Sequence, residues 1–389
     1  MQPKTEHIYL DNQSTTPIDA RVLEEMLPYL TGVFGNPSSD NGLGAKAKKA
    51  VSRARAQVAE LVGAMADEIY FTSGATEAIN WAIRGVVEKS DGTRKHIVTT
   101  AIEHSAVLKT VKFIETFMGF QVTIVPPGSD GIVPAAEIAA AISPQTLLVI
   151  MQHANNEIGT IQPVAEVGAI CREKNVLFLV DAAQSMGKIP CNVAEMGIDL
   201  LAASGHKLYA PKGCGFLYIR EAVKGQVNPL LYGGGQEGQL RSGTLNVPYI
   251  VGLGKACAIA REEMKEEAKR VLKLRELFIS IIHKKIPDMI INGHLLKRLP
   301  GNINFSVPGV SSDILLKNAG NISISKGSAC NAEKKEQSHV LRAITANDCI
   351  LNGAVRVGIG RFNTEEEIII AANKLAAEIA EIKFGSATF

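Results

Sequence analysis

One lysine follows directly on a stretch that is typical of a buried strand. Residues 200–203 are Leu-Leu-Ala-Ala, and Ser204, Gly205 and His206 then lead into Lys207. Small residues let the chain turn tightly where a strand ends. A lysine that is shielded from water on one side loses its proton more easily and can condense with a carbonyl group. Lys207 is therefore a candidate Schiff-base lysine, and the alternative is an ordinary surface lysine.

A carboxylate ends a second apolar run. Asp181 follows residues 176–180, which read Val-Leu-Phe-Leu-Val. A carboxylate at the end of a buried strand suits a ring nitrogen that must stay protonated, which is what pyridoxal phosphate (PLP) requires of its protein. Asp181 and Lys207 together therefore indicate a PLP site.

Two more polar positions come just after predicted strands. Ala75 and Thr76 open a helix after the strand at 68–73, and His104 follows the strand at 96–101. A helix N-terminus offers unpaired N–H groups and a partial positive charge, which suit a phosphate, although the same sequence also serves as an ordinary N-cap. An imidazole at position 104 can stack on a pyridine ring or be a structural histidine.

The wider pattern is an alternation of strands and helices. The predicted strands of the main sheet are 68–73, 96–101, 122–125, 147–151, 176–180 and 200–203. This alternation predicts a mostly parallel sheet with right-handed crossovers, covered by helices on both faces. Ligands of such sheets bind at the carboxyl ends of the strands. Five polar residues are therefore expected to converge there: Thr76, His104, Asn156, Asp181 and Lys207.

Composition limits the class of protein. The 389 residues are 46% hydrophobic, and 41 basic against 39 acidic residues give a formal net charge of +2. This balance gives no sign of nucleic-acid or membrane binding through bulk charge, and no apolar run approaches the ~20 residues of a membrane span. The six cysteines include no Cys-x-x-Cys pair, so neither a metal site nor a disulfide framework is indicated. We expect a cytoplasmic protein with a small-molecule ligand.

The length is sufficient for two domains. Residues 16–254 carry the strand and helix alternation and are predicted to form a large domain. Residues 255–389 begin with a long charged helix, predicted at 257–283, and we expect them to form a smaller α+β domain together with residues 1–15.

Two residues of this second part have side chains suited to a substrate. Arg356 lies between Val355 and Val357, and a guanidinium there can hold an α-carboxylate through two parallel hydrogen bonds. Cys330 lies among glycine, serine, alanine and charged residues, which predicts an exposed, mobile loop rather than a core. The other five cysteines are expected to be inert, except that Cys214 lies in a glycine-rich turn. Three lysines close in sequence would favour the Cys330 thiolate: Lys326, Lys334 and Lys335.

Taken together, these motifs resemble those of the class V aminotransferase-fold PLP enzymes, and within that group the cysteine desulfurases of the NifS/IscS type. The resemblance covers nearly the whole chain. The segments that carry it are 73–77, 155–159, 181–185, 204–207, 241–244 and 327–330. Residues 331–337, directly after Cys330, depart from the usual family sequence.

The resemblance implies an α/β fold of the aspartate aminotransferase (type I) kind, with a mostly parallel seven-stranded sheet, and it implies PLP. It also implies a role for each candidate residue. Lys207 would hold the cofactor, Asp181 would bond its ring nitrogen, Gln184 would bond its ring oxygen and His104 would stack on the ring. The phosphate would be bound by Ala75, Thr76, Ser204 and His206, and Thr244 would reach the phosphate of the neighbouring subunit in a homodimer. Asn156 would bond the cofactor or the substrate carboxylate, and Arg356 would bind the substrate.

The activity implied is the conversion of L-cysteine to L-alanine. Cys330 would take the sulfur as a persulfide and pass it to an acceptor protein for iron–sulfur cluster assembly or tRNA thiolation. A selenocysteine lyase or an ordinary class V aminotransferase would use the same cofactor residues, although an aminotransferase has no need of the thiol. A non-catalytic scaffold that docks sulfur-carrier proteins is the alternative of another class, and the intact Lys207 and Asp181 argue against it.

Overall fold

The computed structural model describes residues 7–326 and 337–386. Its strands are β1 (Ile8–Tyr9), β2 (Ile69–Thr72), β3 (His96–Thr100), β4 (Gln121–Val125), β5 (Thr146–Gln152), β6 (Leu177–Asp181), β7 (Leu200–Ser204), β8 (Gly215–Ile219), β9 (Ile290–Ile291), β10 (Asn302–Ser306), β11 (Ile322–Ser323) and β12 (Val355–Gly358). Its helices are α1 (Ala20–Thr31), α2 (Gly42–Val62), α3 (Ala75–Lys89), α4 (Ser105–Met118), α5 (Ala135–Ala141), α6 (Val164–Glu173), α7 (Val247–Lys285), α8 (Ser312–Asn318), α9 (His339–Ile344), α10 (Asp348–Gly353) and α11 (Glu365–Ser386).

The main sheet has seven strands in the order β2-β8-β7-β6-β5-β3-β4. Strand β8 is antiparallel to both neighbours, and the remaining pairs are parallel. The predicted mostly parallel, seven-stranded sheet is therefore confirmed. The sequence had indicated six of these strands, and β8 is the one it missed.

Both faces of the sheet are buried. Along β6, Phe178 and Val180 belong to one hydrophobic cluster, whereas Leu177 and Leu179 belong to another. Because successive side chains of a strand point to opposite faces, the two clusters lie on opposite sides of the sheet. Strands buried on both faces must be apolar throughout, which explains the continuous apolar run that precedes Asp181.

Helix α7 extends from one hydrophobic cluster of the protein into another. It was predicted at 257–283 but has 39 residues and begins ten residues earlier, with the side chain of Asn246 as its N-cap. Its first part packs with α1 and α2 in one of the clusters of the main sheet, and its second part joins a third cluster with Ile8, β10, β12 and α11. This third cluster agrees with the predicted small domain of residues 1–15 and 255–389, a division that we retain as a proposal.

Two classes of feature are absent from the described part of the chain. None of its helices is both long enough and apolar enough to cross a membrane. Within the same residues, no group of three or more histidine, cysteine, aspartate or glutamate side chains is arranged to hold a metal ion.

Candidate active site

A cavity of about 970 Å³ opens at the carboxyl ends of the parallel strands. The ends of β2, β3, β5, β6 and β7 contribute to it, as expected for a sheet of this kind. Ten of the predicted site residues line this one cavity: Ala75, Thr76, His104, Asn156, Asp181, Gln184, Ser204, His206, Lys207 and Arg356. Of the other two, Thr244 is exposed and does not line the cavity of its own chain, and Cys330 lies outside the described residues.

Lys207 ends the short turn of 3₁₀-helix that follows β7. Its Nζ donates to two backbone carbonyls, that of Gln13 at 2.5 Å and that of Ser14 at 2.6 Å. Both acceptors belong to the N-terminal segment, which the sequence indicated only as a polar turn. The half-buried ammonium is therefore held at the wall of the cavity by backbone carbonyls of the N-terminal segment.

Asp181 is the last residue of β6 and is buried. Its Oδ1 accepts a hydrogen bond from the backbone N–H of Ala183 at 2.9 Å, and no group in the described residues donates to Oδ2. Burial raises the pKa of this carboxyl group, and the nearby His104 and Lys207 oppose that rise. In a buried aspartate, a carboxylate oxygen to which no described group donates is poised to accept a hydrogen bond from a positively charged ring N–H.

His104 caps the N-terminus of α4, because its Nδ1 accepts from the backbone N–H of Ala106 at 3.1 Å. Burial lowers the pKa of the imidazole. The ring is therefore neutral at physiological pH, with its proton on Nε2, since Nδ1 serves as an acceptor. A neutral imidazole at this position is suited to pack on an aromatic ring.

One end of the cavity has the features of a phosphate site. Among the described residues no side chain caps the N-terminus of α3, so the N–H groups of its first turn remain available. Gly74 precedes that turn at φ 152°, a conformation that side chains rarely adopt, and a Cβ there would come within 3.4 Å of Oγ of Ser204. Because 3.4 Å is an ordinary van der Waals contact, the backbone conformation rather than a lack of space favours glycine at this turn.

His206 borders the same end. Its Nδ1 lies 3.1 Å from Oγ1 of Thr15. Burial lowers the pKa of His206 to about 4, and the neighbouring Lys207 and Lys212 act in the same direction. His206 is therefore uncharged at neutral pH, and it can offer a phosphate a neutral N–H but no positive charge.

Gln184 and Asn156 line the wall between the ring site and Arg356. The amide Nε2 of Gln184 donates to the backbone oxygen of Gln13 at 2.9 Å. The backbone oxygen of Asn156 accepts from Nη1 of Arg356 at 2.8 Å. Asn156 thus positions the arginine through its main chain, a contact that the sequence could not indicate.

Arg356 is one of the largest fully buried side chains, with 2% of it exposed. Its Nη2 donates to Oδ1 of Asp11 at 2.8 Å and to Oγ of Ser14 at 2.5 Å. The guanidinium therefore reaches the cavity as a buried, oriented group rather than as a mobile surface side chain. An oriented guanidinium shielded from water is a strong site for a carboxylate.

Several residues of the site were not predicted. Ser338 and His339, which follow the segment that contains Cys330, contact the large sheet region: Oγ of Ser338 donates to Oε2 of Glu157 at 2.5 Å, and Nε2 of His339 lies 3.0 Å from the backbone oxygen of Glu103. Gln13 is a third example. Each contact joins residues that are far apart in sequence, so no local pattern signals it.

The described cysteines differ in exposure. Cys171, Cys191, Cys214 and Cys257 are buried, as expected of inert thiols, but Cys349 is exposed. Cys349 lies in the first turn of α10, which is exposed to solvent.

Lys326 was expected to favour the Cys330 thiolate. This expectation stays a prediction, and the structure shows that the ammonium of Lys326 forms an ion pair with Asp313. Both side chains of this pair are exposed, and ion pairs of this kind are weak. Cys330 itself, together with Lys334 and Lys335, lies outside the described residues.

The residues of the cavity fit PLP. Asp181 offers a carboxylate oxygen without a donor, α3 offers uncapped N–H groups, and Lys207 is the amine beside them. These are the complements of a protonated ring nitrogen, a phosphate and an aldehyde.

Comparison with known proteins defines the class. The aminotransferase class-V family model matches residues 8–370, and the chain belongs to that family. A cysteine desulfurase IscS of Rickettsia prowazekii (strain Madrid E) is 46% identical over 377 residues, which cover 97% of this chain and 92% of the relative. A solved structure of a NifS-like protein is 39% identical with a TM-score of 0.90, covering 96% of this chain and 100% of the other. A solved structure of SspA in complex with cysteine is 36% identical with a TM-score of 0.81, and the match covers 92% of this chain and 100% of SspA.

Proposed function

We propose that this protein is a PLP-dependent cysteine desulfurase, which converts L-cysteine to L-alanine and carries the sulfur on Cys330. The observation that carries the proposal is the meeting of Lys207, Asp181 and Arg356 in one cavity, because this set supplies an amine, a ring-nitrogen partner and a carboxylate site. The relatives named cysteine desulfurase and the neighbour solved with cysteine support the choice of substrate.

PLP, when bound, would supply an electron sink that weakens the bonds at the α-carbon of an amino acid. Asp181 would keep the ring nitrogen protonated, and burial in the cavity strengthens that interaction. Lys207 would hold the cofactor covalently and then carry the α-proton of the substrate. His104 would pack on the ring, and Gln184 would donate to its oxygen.

The remaining residues would bind the phosphate. Ala75 and Thr76 would donate the N–H groups of the first turn of α3, and Ser204 would add a hydroxyl. His206 would donate a neutral N–H. Thr244 of a neighbouring subunit would complete this group in a homodimer, which agrees with its exposed position outside the cavity of its own chain.

Arg356 and Asn156 would fix the α-carboxylate of L-cysteine. The Cys330 thiolate would then attack the substrate sulfur, so that a sulfur–sulfur bond forms as the carbon–sulfur bond breaks. The electron pair left on carbon takes a proton, and alanine leaves. The outer sulfur of the persulfide would pass to an acceptor protein that serves iron–sulfur cluster assembly or tRNA thiolation, in the cytoplasm.

One assay tests the proposal. Purified protein is incubated with L-cysteine and a reductant, and sulfide and alanine are quantified. Equal amounts of both products are expected from wild type, and neither above background from Lys207→Ala or Cys330→Ala. The matched control is Cys349→Ala, which removes an exposed thiol that does not line the cavity and should behave as wild type.

The same assay distinguishes the alternatives. Full activity of Cys330→Ala on selenocysteine, with none on cysteine, would favour a selenocysteine lyase. Amine transfer that depends on an added keto acid would favour an aminotransferase. If wild type loaded with PLP forms no product, the result would favour the remaining alternative, a non-catalytic scaffold.

A further inference from the structure

A second lysine lies behind the wall of the cavity and is not used in the proposed chemistry. Lys188 lies four residues after Gln184 in the segment that follows β6, and its Nζ donates to Oε1 of Gln184 at 3.3 Å. Within the described residues this is the only hydrogen bond of its ammonium. Lys188 also lines a separate small cavity, of about 30 Å³, with Gln13, Tyr209 and Glu267.

Lys188 and Lys207 are connected by a short series of contacts. Gln184 accepts from Lys188 through Oε1 and donates through Nε2 to the backbone oxygen of Gln13, at 2.9 Å. The same oxygen of Gln13 accepts from Nζ of Lys207, at 2.5 Å. The side chain of Gln184 therefore has an ammonium on one side and, on the other, the carbonyl that holds Lys207.

An ammonium has three donors and no acceptor, whereas a carbonyl oxygen only accepts. Gln184 satisfies both partners in one orientation alone, with its oxygen toward Lys188 and its NH₂ toward Gln13 and the cavity. Rotation of the amide by half a turn would place NH₂ against the ammonium and oxygen against the carbonyl. Both contacts would then be repulsive.

We propose that Lys188 is a positioning residue that fixes the side-chain amide of Gln184, so that Gln184 presents a hydrogen-bond donor rather than an acceptor to the cofactor. The inference rests on the proposed function, because it assigns Lys188 a part in binding PLP. The donor would stabilise negative charge on the ring oxygen of the cofactor.

The charge of Lys188 responds to pH in the neutral range. Burial lowers its pKa to about 7, and the positive charges of Lys207 and Arg356 act in the same direction, whereas the carboxylate of Glu267 opposes them. Tyr209, also beside it, is neutral because burial raises its pKa. A neutral amine can accept as well as donate, so the constraint on Gln184 should weaken as pH rises through about 7.

A double-mutant cycle tests the inference. PLP affinity and the pH midpoint of the visible absorption of bound PLP are measured for wild type, Lys188→Met, Gln184→Ala and the double variant. Lys188→Met should weaken PLP binding about three- to tenfold and raise the pH midpoint, because a positive charge and an oriented donor are lost. In the Gln184→Ala background, the same substitution should change PLP affinity by less than about twofold.

The variants also separate positioning from stability. Lys188→Arg retains a donor and a charge, and the adjoining cavity leaves space for the larger head group; it should restore most of the PLP affinity. Lys188→Gln replaces Lys188→Met if the latter does not fold. An equal loss of affinity from Lys188→Met in the wild-type and Gln184→Ala backgrounds would overturn the inference and leave the proposed function untouched. Wild type that takes up no PLP would overturn both.

Discussion

The guanidinium of Arg356 and the carboxylate of Asp11 form an ion pair in which Nη2 and Oδ1 are 2.8 Å apart. The arginine is 2% exposed and the aspartate 17%. The pair joins β12 to the segment after β1, which also meets Gly358 in an isolated bridge. The N-terminal segment therefore orients the group that would receive the substrate carboxylate.

Replacement of Arg356 should act mainly on substrate binding. We expect Arg356→Lys, which keeps the charge but loses the planar fork, to raise the KM for L-cysteine by roughly 10-fold or more, because a charge-assisted hydrogen bond contributes about 1.5–3 kcal/mol. Steady-state kinetics with L-cysteine measures this. Asp11→Asn, which retains an acceptor oxygen for Arg356, is the control and should raise KM less. Equal effects of both variants would show that the arginine acts structurally.

Glu103 should make stability depend on pH. Its Oε1 accepts from Thr100 and from the backbone N–H of Gln152, whereas Oε2 has no partner in the described residues. Burial raises the pKa of Glu103 to about 8. The folded protein therefore binds the proton more tightly than the unfolded chain, and the stability contributed by this group falls as pH rises from about 4.5 to 8, by up to about 1.4 kcal/mol per pH unit.

Glu103→Gln removes this titration. The free energy of unfolding in urea is measured for both proteins at pH 5 and pH 8. The difference, variant minus wild type, should be more positive at pH 8 than at pH 5. Glu366→Gln, at an exposed position on α11, is the matched removal of one carboxylate. If the difference between Glu103→Gln and wild type is the same at both pH values, Glu103 is ionised in the folded protein throughout.

Ser338 should anchor the segment that follows Cys330. Its Oγ donates to the buried Glu157 and also accepts from the N–H of Leu341 at the start of α9. Ser338→Ala leaves a buried carboxyl without its donor and should lower the free energy of unfolding by about 1–3 kcal/mol. Persulfide formation on Cys330 should slow in single-turnover experiments, while PLP affinity stays unchanged. Ser338→Thr retains the hydroxyl and should restore both the free energy of unfolding and the rate of persulfide formation. Persulfide formation at the wild-type rate in Ser338→Ala would refute the anchoring role.

Mixed subunits can show whether Thr244 acts across the proposed dimer. Lys207→Ala and Thr244→Ala proteins are each expected to have low activity. In a mixed dimer, one site would carry both defects and the other would be intact if Thr244 comes from the partner. Co-refolding of the two variants should therefore recover about half of the wild-type activity per mixed dimer, measured as sulfide release. No recovery in a verified mixed dimer would place Thr244 in its own subunit's site, and wild-type activity of Thr244→Ala alone would place Thr244 outside the mechanism.

The sequence was sufficient to predict where the polar groups meet. Thr76, His104 and Asp181 lie at the carboxyl ends of β2, β3 and β6, which run in the same direction, and the carboxyl ends of such strands lie at one edge of the sheet. That rule depends only on local pattern and on the handedness of crossovers, so it needs no knowledge of distant contacts. Strand β8 was missed because it is antiparallel and follows a glycine-containing turn without an intervening helix.

Other features depend on contacts between distant parts of the chain. The carbonyl of Gln13 and the ammonium of Lys207 are 194 residues apart in sequence, so a polar turn gave no sign of the contact. The early start of α7 was obscured by Gly252 and Gly254, which disfavour a helix. A Cβ on Gly254 would lie 2.5 Å from Cα of Ala54, so close crossing of α2 explains the glycine there.

The uninterrupted course of α7 has a mechanical consequence. At 1.5 Å per residue, its 39 residues form a rod of about 58 Å whose two ends are embedded in different hydrophobic clusters. Independent rotation of those clusters would require the rod to bend and its backbone hydrogen bonds to break. Heat should therefore melt both clusters in a single calorimetric transition.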